Sequence, residues 1–168
     1  SSIDTLSTYA WHRFVWNNNI RFSRIYDSKT DGFSVRCLKD NIDPTIVTNA
    51  NDNGVGSLRN ALNYANSNAG VKDTITFNIP GIGPFAIQLL SPLPPITDPV
   101  VIDGFTQPGA SNSKLLIELD GTNSGSGSNG LTIRASNCIV RGLVINRFSS
   151  AGILIDNYSN GNIIEGNY

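Results

Sequence analysis

Short apolar runs return at a nearly fixed interval between residues 130 and 168. The run 130–133 (Gly-Leu-Thr-Ile) is repeated in similar form as the run 152–155 (Gly-Ile-Leu-Ile). The run 138–142 (Cys-Ile-Val-Arg-Gly) is answered, at nearly the same spacing, by the run 162–166 (Asn-Ile-Ile-Glu-Gly). Each unit holds two or three short strands separated by Asn, Ser and Gly, so it cannot enclose a core alone and neighbouring units must stack.

This repeat predicts the fold class. Units of this length with several short strands and no helix favour a parallel β-helix over a leucine-rich repeat, whose consensus is absent, or a longer propeller blade. Further strands are predicted upstream at 73–80, 85–89, 100–103 and 115–119, with prolines between them where no ladder donor is needed. We therefore expect an all-β chain built as a parallel β-helix, with a short N-terminal capping α-helix and a small antiparallel β segment before it.

The capping helix is predicted over residues 57–68. Ser57 can cap its N-terminus, and Leu58, Ala61, Leu62 and Ala65 follow at i, i+3, i+4 and i+7, which gives one narrow apolar face. A short amphipathic helix laid over the first strands would hide their edges from water and from foreign strands.

The first forty residues follow a different pattern. Segments 9–16, 20–26 and 32–38 alternate apolar and polar residues and are separated by polar turns, which predicts three antiparallel strands. We expect three parts: residues 1–40, residues 41–56 as a linker with the first strand, and residues 57–168 as the helix and the first coils. Forty residues bury little surface, so the first part needs support from elsewhere.

Segments 7–11 (Ser-Thr-Tyr-Ala-Trp) and 32–40 (Gly-Phe-Ser-Val-Arg-Cys-Leu-Lys-Asp) carry a resemblance to a known family. Together they resemble the C-terminal tail of the major paralogous domain (FISUMP type) of secreted bacterial proteins. That domain is similar to the C-type-lectin and formylglycine-generating-enzyme folds. The resemblance implies that residues 1–40 are the end of a lectin-like domain whose larger part lies upstream.

Residues 45–168 carry a second resemblance, on motifs at 56–61, 73–77, 96–100, 102–109 and 140–145. This span resembles the N-terminal portion of large bacterial surface proteins with a pectin-lyase-like right-handed β-helix. The resemblance implies display, adhesion or carbohydrate contact more often than a known reaction. We expect the chain to be a piece of a longer polypeptide, cut inside one domain at the start and inside another at the end.

The composition and charge of the chain restrict the classes of partner that it is expected to bind. The net charge is −1 with 15% charged residues, which gives no electrostatic footprint for nucleic acid or an anionic membrane. No run of about 18 apolar residues occurs, so no membrane insertion is expected. The abundance of Gly, Asn, Ser and Thr is typical of β-rich proteins outside the cell. The two resemblances imply a bacterial surface protein, so we expect an exported bacterial protein at the cell surface. Cys37 and Cys138 could form a disulfide, although two buried thiols are the simpler interpretation.

Few residues in the sequence are candidates for catalysis or ligand binding. Asp103 and Asp120 could face one groove as a carboxylate pair for glycoside hydrolysis, although each precedes Gly at a strand end, where an Asp-Gly turn is the stronger interpretation. Trp11, Trp16 and Tyr26 could form a surface that stacks on sugars, although strand aromatics are mostly core residues. No nucleophile and base pair, phosphate loop or metal-ligand spacing occurs, so we predict no catalytic residues, metal or cofactor.

The sequence therefore predicts a segment of an extracellular bacterial surface or filament protein, without catalysis of its own. Its expected role is structural display, adhesion or assembly. The expected partners are other segments of the same longer polypeptide or further copies, which would meet through strand edges and ends, and carbohydrate is a further candidate. One alternative is the N-terminal part of a polysaccharide lyase or hydrolase whose catalytic coils lie beyond residue 168. Another is a glycan-binding module that uses the N-terminal aromatic residues.

Overall fold

The computed structural model describes residues 43–156 and 158–168, and it describes the backbone of residues 9–15 and 22–28. The chain divides into two compact units, residues 1–40 and residues 41–168. Each unit is built from its own strands and is treated separately below.

The first unit contains an antiparallel pair of strands, β1 (Tyr9–Val15) and β2 (Phe22–Ser28). Their pairing agrees with the alternation of apolar and polar residues in this part of the sequence. The third strand predicted for this unit, at 32–38, lies outside the described residues.

The described residues of the second unit contain ten further strands, one α-helix and one short 3₁₀ turn. They are β3 (Ile46–Val47), α1 (Leu58–Ser67), β4 (Asp73–Phe77), β5 (Phe85–Gln88), β6 (Val100–Asp103), the 3₁₀ turn (Gly104–Thr106), β7 (Ile117–Asp120), β8 (Leu131–Ile133), β9 (Ile139–Arg141), β10 (Leu143–Asn146), β11 (Ile153–Ile155) and β12 (Ile163–Glu165). Short strands rich in Ile, Val and Leu alternate with turns rich in Gly, Asn and Ser, which is the composition expected of such a unit.

The described strands of the second unit form three parallel sheets. The largest has the order β12-β9-β6-β4-β3, the second β10-β7-β5, and the third β11-β8. The register follows the repeat of the sequence, because β11 pairs with β8 (Ile153 opposite Leu131) and β12 pairs with β9 (Ile163 opposite Ile139). Each strand of the later repeat therefore lies beside the matching strand of the preceding repeat.

The predicted helix is confirmed, and it lies over the end of the largest sheet. The Ser57 hydroxyl accepts a hydrogen bond from the amide of Asn60 and caps the N-terminus of α1. The apolar residues of α1 are buried in the same core as β3 and β4. Its buried positions are Leu58, Ala61, Leu62 and Ala65, as the spacing predicts.

One continuous core joins α1 to the strands. It contains the inward side chains of successive strands of the largest sheet, Ile75, Ile102 and Val140, each fully buried. Parallel sheets are stable where such apolar runs are shielded from water, and burial of each large aliphatic side chain contributes about 1.5–3 kcal/mol.

The expected right-handed parallel β-helix is wrong as a description of this chain. Beside the antiparallel pair β1-β2, the described residues form three parallel sheets with one helix, about 10% helical and 30% strand overall, and their strands do not close into a helix or barrel. The sequence pattern failed here because a repeat of apolar runs determines which strands pair and in which register. Whether separate sheets wrap into closed coils depends on the turns between them, which the period does not specify.

Within the described ranges, no helix combines the length and the apolar character that crossing a lipid bilayer requires.

Loss of core volume should destabilise the second unit. Ile102→Ala removes a fully buried side chain from β6, and we expect the free energy of unfolding to fall by about 2–5 kcal/mol, because the cavity cannot collapse completely. Urea denaturation followed by circular dichroism measures the change. Ile82→Ala is the matched control, since Ile82 is 98% exposed, and it should shift stability by about 0.5 kcal/mol or less. Equal effects of the two changes would contradict the assigned core.

Candidate functional site

Asp103 and Asp120, the two aspartates singled out in the sequence, lie at the ends of strands in different sheets. Each of them forms a local turn. Asp103, at the end of β6, accepts a hydrogen bond from the amide of Phe105 at 3.1 Å and caps the 3₁₀ turn. Asp120, at the end of β7, accepts from the amide of Thr122 at 2.9 Å and from its hydroxyl at 2.6 Å. Both carboxylates therefore stabilise the reversal of the chain that follows their strand.

Asp103 also belongs to a row of charges of alternating sign. In the largest sheet Arg141 of β9 lies opposite Asp103 on one side and opposite Glu165 of β12 on the other. The Arg141 guanidinium donates to Asp103 at 2.7 Å and lies 3.8 Å from Glu165. Opposite charges on adjacent strands stabilise the pairing, and the carboxylate of Asp103 raises the pKa of Arg141.

A second arginine binds the carboxylates of the three-stranded sheet. Arg147, just beyond β10, donates to Asp120 at 2.8 Å and to Glu118 at 2.5 Å, and Asn146 also donates to Glu118 at 2.9 Å. Arg147 has a φ of 58°, in the left-handed region that residues with a side chain rarely adopt. The two ion pairs favour this conformation, since they hold the guanidinium above the ends of β7 and β10.

Hydrogen bonds from Arg147 and from Thr122 hold the pKa of Asp120 well below its ordinary value. In return, Asp120 raises the pKa of Arg147. Asp120 is therefore ionised at every physiological pH, and it cannot serve as the proton donor that a glycosidase needs, whose pKa must be raised.

Asp103 and Asp120 are not brought together as a catalytic pair. Asp103 lies in the five-stranded sheet and is bound by Arg141, whereas Asp120 lies in the three-stranded sheet and is bound by Arg147. Each carboxylate is largely buried and is occupied by its own guanidinium and its own turn. Their chemistry is that of structural anchors.

An open groove runs beside this row of charges. It consists of two adjoining cavities of about 370 and 540 Å³, which share Asn112 and Gly166. Arg141 and Glu165 line the first cavity, and Tyr168 lines the second. The Nε atom of Arg141 is buried and has no hydrogen-bond partner among the described residues. This groove offers hydrogen-bond donors, acceptors and one exposed aromatic ring to a polar ligand.

The other distinctive surface is the edge formed by β11 and β12. Each is the last strand of its sheet, and among the described residues neither has a strand partner on its outer side. Four large apolar side chains there are 38–47% exposed: Leu154, Ile155, Ile163 and Ile164. We call this surface the open edge. Unpaired strands with exposed aliphatic side chains are templates for the addition of another strand.

The predicted sugar-stacking residues are only partly located. The backbone register of the first unit puts Trp11 of β1 opposite Tyr26 of β2, and Trp16 lies outside the described residues. A stacking surface on these residues stays a prediction. Cys37 also lies outside the described residues, and Cys138 is a buried free thiol whose burial raises its pKa.

The sequence pattern did not predict that Arg141 and Arg147 pair with carboxylates. A signal for the first was present, because Asp103, Arg141 and Glu165 each stand at the end of an apolar run and just before a glycine. Alternating sign at the same place in three strands indicates a cross-strand row. The position of Arg147 depends on its unusual backbone conformation, which no pattern in the sequence indicates.

The described part of the chain contains no group of three or more His, Cys, Asp or Glu side chains placed to hold a metal ion. No protein-family model matches the chain and no curated protein is similar to it, so the two family resemblances stay predictions.

Acid should weaken the second unit through Asp120. Its lowered pKa means that the folded state holds a carboxylate that the unfolded chain protonates first, so this contribution is complete above the unfolded value near 3.8 and is lost as the pH falls below it. We expect Asp120→Asn to lower stability at neutral pH and to flatten the loss of stability below about pH 4. Urea denaturation at a series of pH values measures both effects.

Asp156→Asn is the control for this experiment, because the Asp156 carboxylate lies 3.8 Å from Arg134 in an exposed pair. This variant should keep the acid-induced loss of the parent chain. The assignment fails if Asp120→Asn and Asp156→Asn give the same pH profile.

Proposed function

We propose that this chain is a non-catalytic structural segment of an extracellular bacterial surface or filament protein, acting in display, adhesion or assembly. The observation that carries the proposal is the open edge of β11 and β12. Four aliphatic side chains that would normally be buried are exposed there beside strands that have no outer partner among the described residues. Strand addition would bury these side chains and satisfy backbone groups in one step.

The opposite end of the second unit is covered, which supports an association in one direction. There α1 buries its apolar face, and Arg59 of this helix donates to Asp52, to the carbonyl of Ser91 and to that of Pro92, at 2.6–2.8 Å. These bonds fix the covering helix to the loop after β5 and to the segment between β3 and α1. One end of the second unit is thus covered by α1, whereas the other end exposes β11 and β12 among the described residues.

The partners we propose are further copies of the chain or other segments of the same longer polypeptide. Parallel pairing needs no special chemistry from the partner beyond a strand of similar length and apolar character. Glu165 and Asp156 stand at the ends of the two edge strands, and their charge would restrict which strands can add.

A catalytic role is less well supported. Hydrolysis of a glycosidic bond needs two free carboxyl groups about 5–9.5 Å apart across one groove, one of them with a raised pKa. Both candidate aspartates are held by arginines and by turn hydrogen bonds. A polysaccharide lyase or hydrolase would need its catalytic residues elsewhere.

A charge placed on the open edge should prevent association. In Ile164→Lys the new ammonium group would have to be desolvated for a strand to add, so we expect the association constant to fall at least about tenfold, which corresponds to about 1.4 kcal/mol. Sedimentation velocity over a range of concentrations measures the constant. Ile82→Lys is the matched control, because it exchanges an exposed isoleucine for the same charge on a loop outside the edge strands.

The control should associate as the parent chain does. Self-association through the open edge is excluded if the parent chain is monomeric at all concentrations, or if both lysine variants associate equally.

Carbohydrate contact in the groove is a second candidate function. It is favoured by the lining of the groove, which combines Arg141 and Asn112 with an exposed Tyr168 in the described part of the chain. Sugars are commonly bound by such a combination of polar groups and one aromatic face.

Removal of the aromatic ring tests this candidate. Tyr168→Ala should weaken binding of neutral or acidic oligosaccharides several-fold, because an aromatic contact contributes about 1 kcal/mol. Calorimetric titration against the parent chain measures the loss. Tyr158→Ala is the control, since Tyr158 is equally exposed (91% against 88%) and does not line the groove. Equal affinities of the two variants would contradict binding in the groove.

A further inference from the structure

Three Asn-Gly pairs occur in the second unit, at 53–54, 129–130 and 160–161. In such a pair the backbone nitrogen of glycine can attack the side-chain carbonyl carbon of asparagine, because glycine has no Cβ to obstruct the approach. The rate depends on whether the fold lets the two groups meet, since a reacting pair held at short distance needs little further ordering. The three pairs have the same chemistry and differ in their surroundings.

At Asn53 the fold brings the two groups together. The amide nitrogen of Gly54 lies 2.6 Å from Oδ1 of Asn53, so the carbonyl carbon that would be attacked is close to its nucleophile. Both residues are exposed, and a Cβ placed on Gly54 would meet no atom of the described residues within 4 Å. Gly54 also has a φ of 96°. Space and solvent are therefore available for ring closure and for the water that follows.

At Asn129 the fold separates the same two groups. The side-chain oxygen of Asn129 accepts from the amide of Ala151 at 3.0 Å, and the buried amide of Gly130 donates to the carbonyl of Ala151 at 2.9 Å. Ring closure would break both bonds between neighbouring strands. The amide and the carbonyl of Ala151 would both lose their partners.

The pair at 160–161 is intermediate. Asn160 is exposed, but its amide donates to the Ser136 hydroxyl and its carbonyl accepts from the amide of Asn137. Gly161 packs closely against the Asn137 side chain. These contacts restrict the backbone rotation that the attack requires.

We propose that Asn53 is a site of spontaneous deamidation, a covalent modification whose only co-reactant is water. The Gly54 nitrogen loses its proton to solvent base and forms a bond to Cγ of Asn53. The Cγ–Nδ2 bond breaks, and the amide nitrogen leaves as ammonia after taking up a proton. Water then opens the resulting succinimide at either carbonyl, which gives aspartate or isoaspartate at position 53.

The modification would act on the segment that joins β3 to α1. It adds a carboxylate beside Asp52, which accepts hydrogen bonds from Arg59 and from the amide of Leu90. Isoaspartate also adds one carbon to the backbone of a loop that is closed by the Gly56 carbonyl, which accepts from the amides of Thr48 and Asn49. The contacts that hold the covering helix are therefore the ones that would be altered.

Incubation of the full chain in mildly alkaline buffer, followed by peptide mapping with mass spectrometry, tests the proposal. Deamidation at Asn53 should be at least about tenfold faster than at Asn129, with Asn160 between them, because only the first pair is held in a reactive arrangement. In denaturant the three sites should react at similar rates. Asn53→Gln should abolish reaction at this position and leave the other two rates unchanged.

Two results would overturn the proposal. The first is a native rate at Asn53 no faster than at Asn129. The second is a difference between the sites that persists in denaturant, which would assign it to the neighbouring sequence rather than to the fold.

Discussion

The register between parallel strands of successive repeats is the constraint on which the second unit depends. Such short strands gain too little from their own backbone bonds to persist alone, so each must align with its counterpart. A slip of one residue would turn the side chains of Ile102 and Val140 away from the core and would separate Asp103 from Arg141. Apolar burial and charge pairing therefore select the same alignment.

Glycine makes this alignment possible at the end of β9. Gly142 has a φ of 74° and connects β9 in one sheet directly to β10 in another. A side chain on Gly104, in the neighbouring strand end, would meet the Gly142 backbone. The row of charges ends at these glycines. Arg141 therefore lies at the point where the chain turns sharply from one sheet into the next.

The sequence was informative wherever a local pattern determined the structure. Helix α1 and the spacing of the paired strands follow from the period of apolar residues and from the cap at Ser57. Whether the sheets close into coils could not be predicted from this period, because closure depends on the angles of many turns. At the candidate site, the turns were predictable from the Asp-Gly dipeptides at the strand ends. The binding of Asp120 by Arg147 was not, because it requires a backbone conformation that arginine rarely adopts.

The contrast between the two ends of the second unit bears most directly on function. An exposed aliphatic edge is a hazard, because it attracts strands without discrimination. Here the edge is short, and Asp156 and Glu165 follow the apolar residues of its two strands. Their charges are only partly offset by Arg134 and Arg141, each 3.8 Å away. In the association that we propose, a strand that adds in register must accommodate these carboxylates, so the apolar residues would favour association and the acidic residues would select the partner.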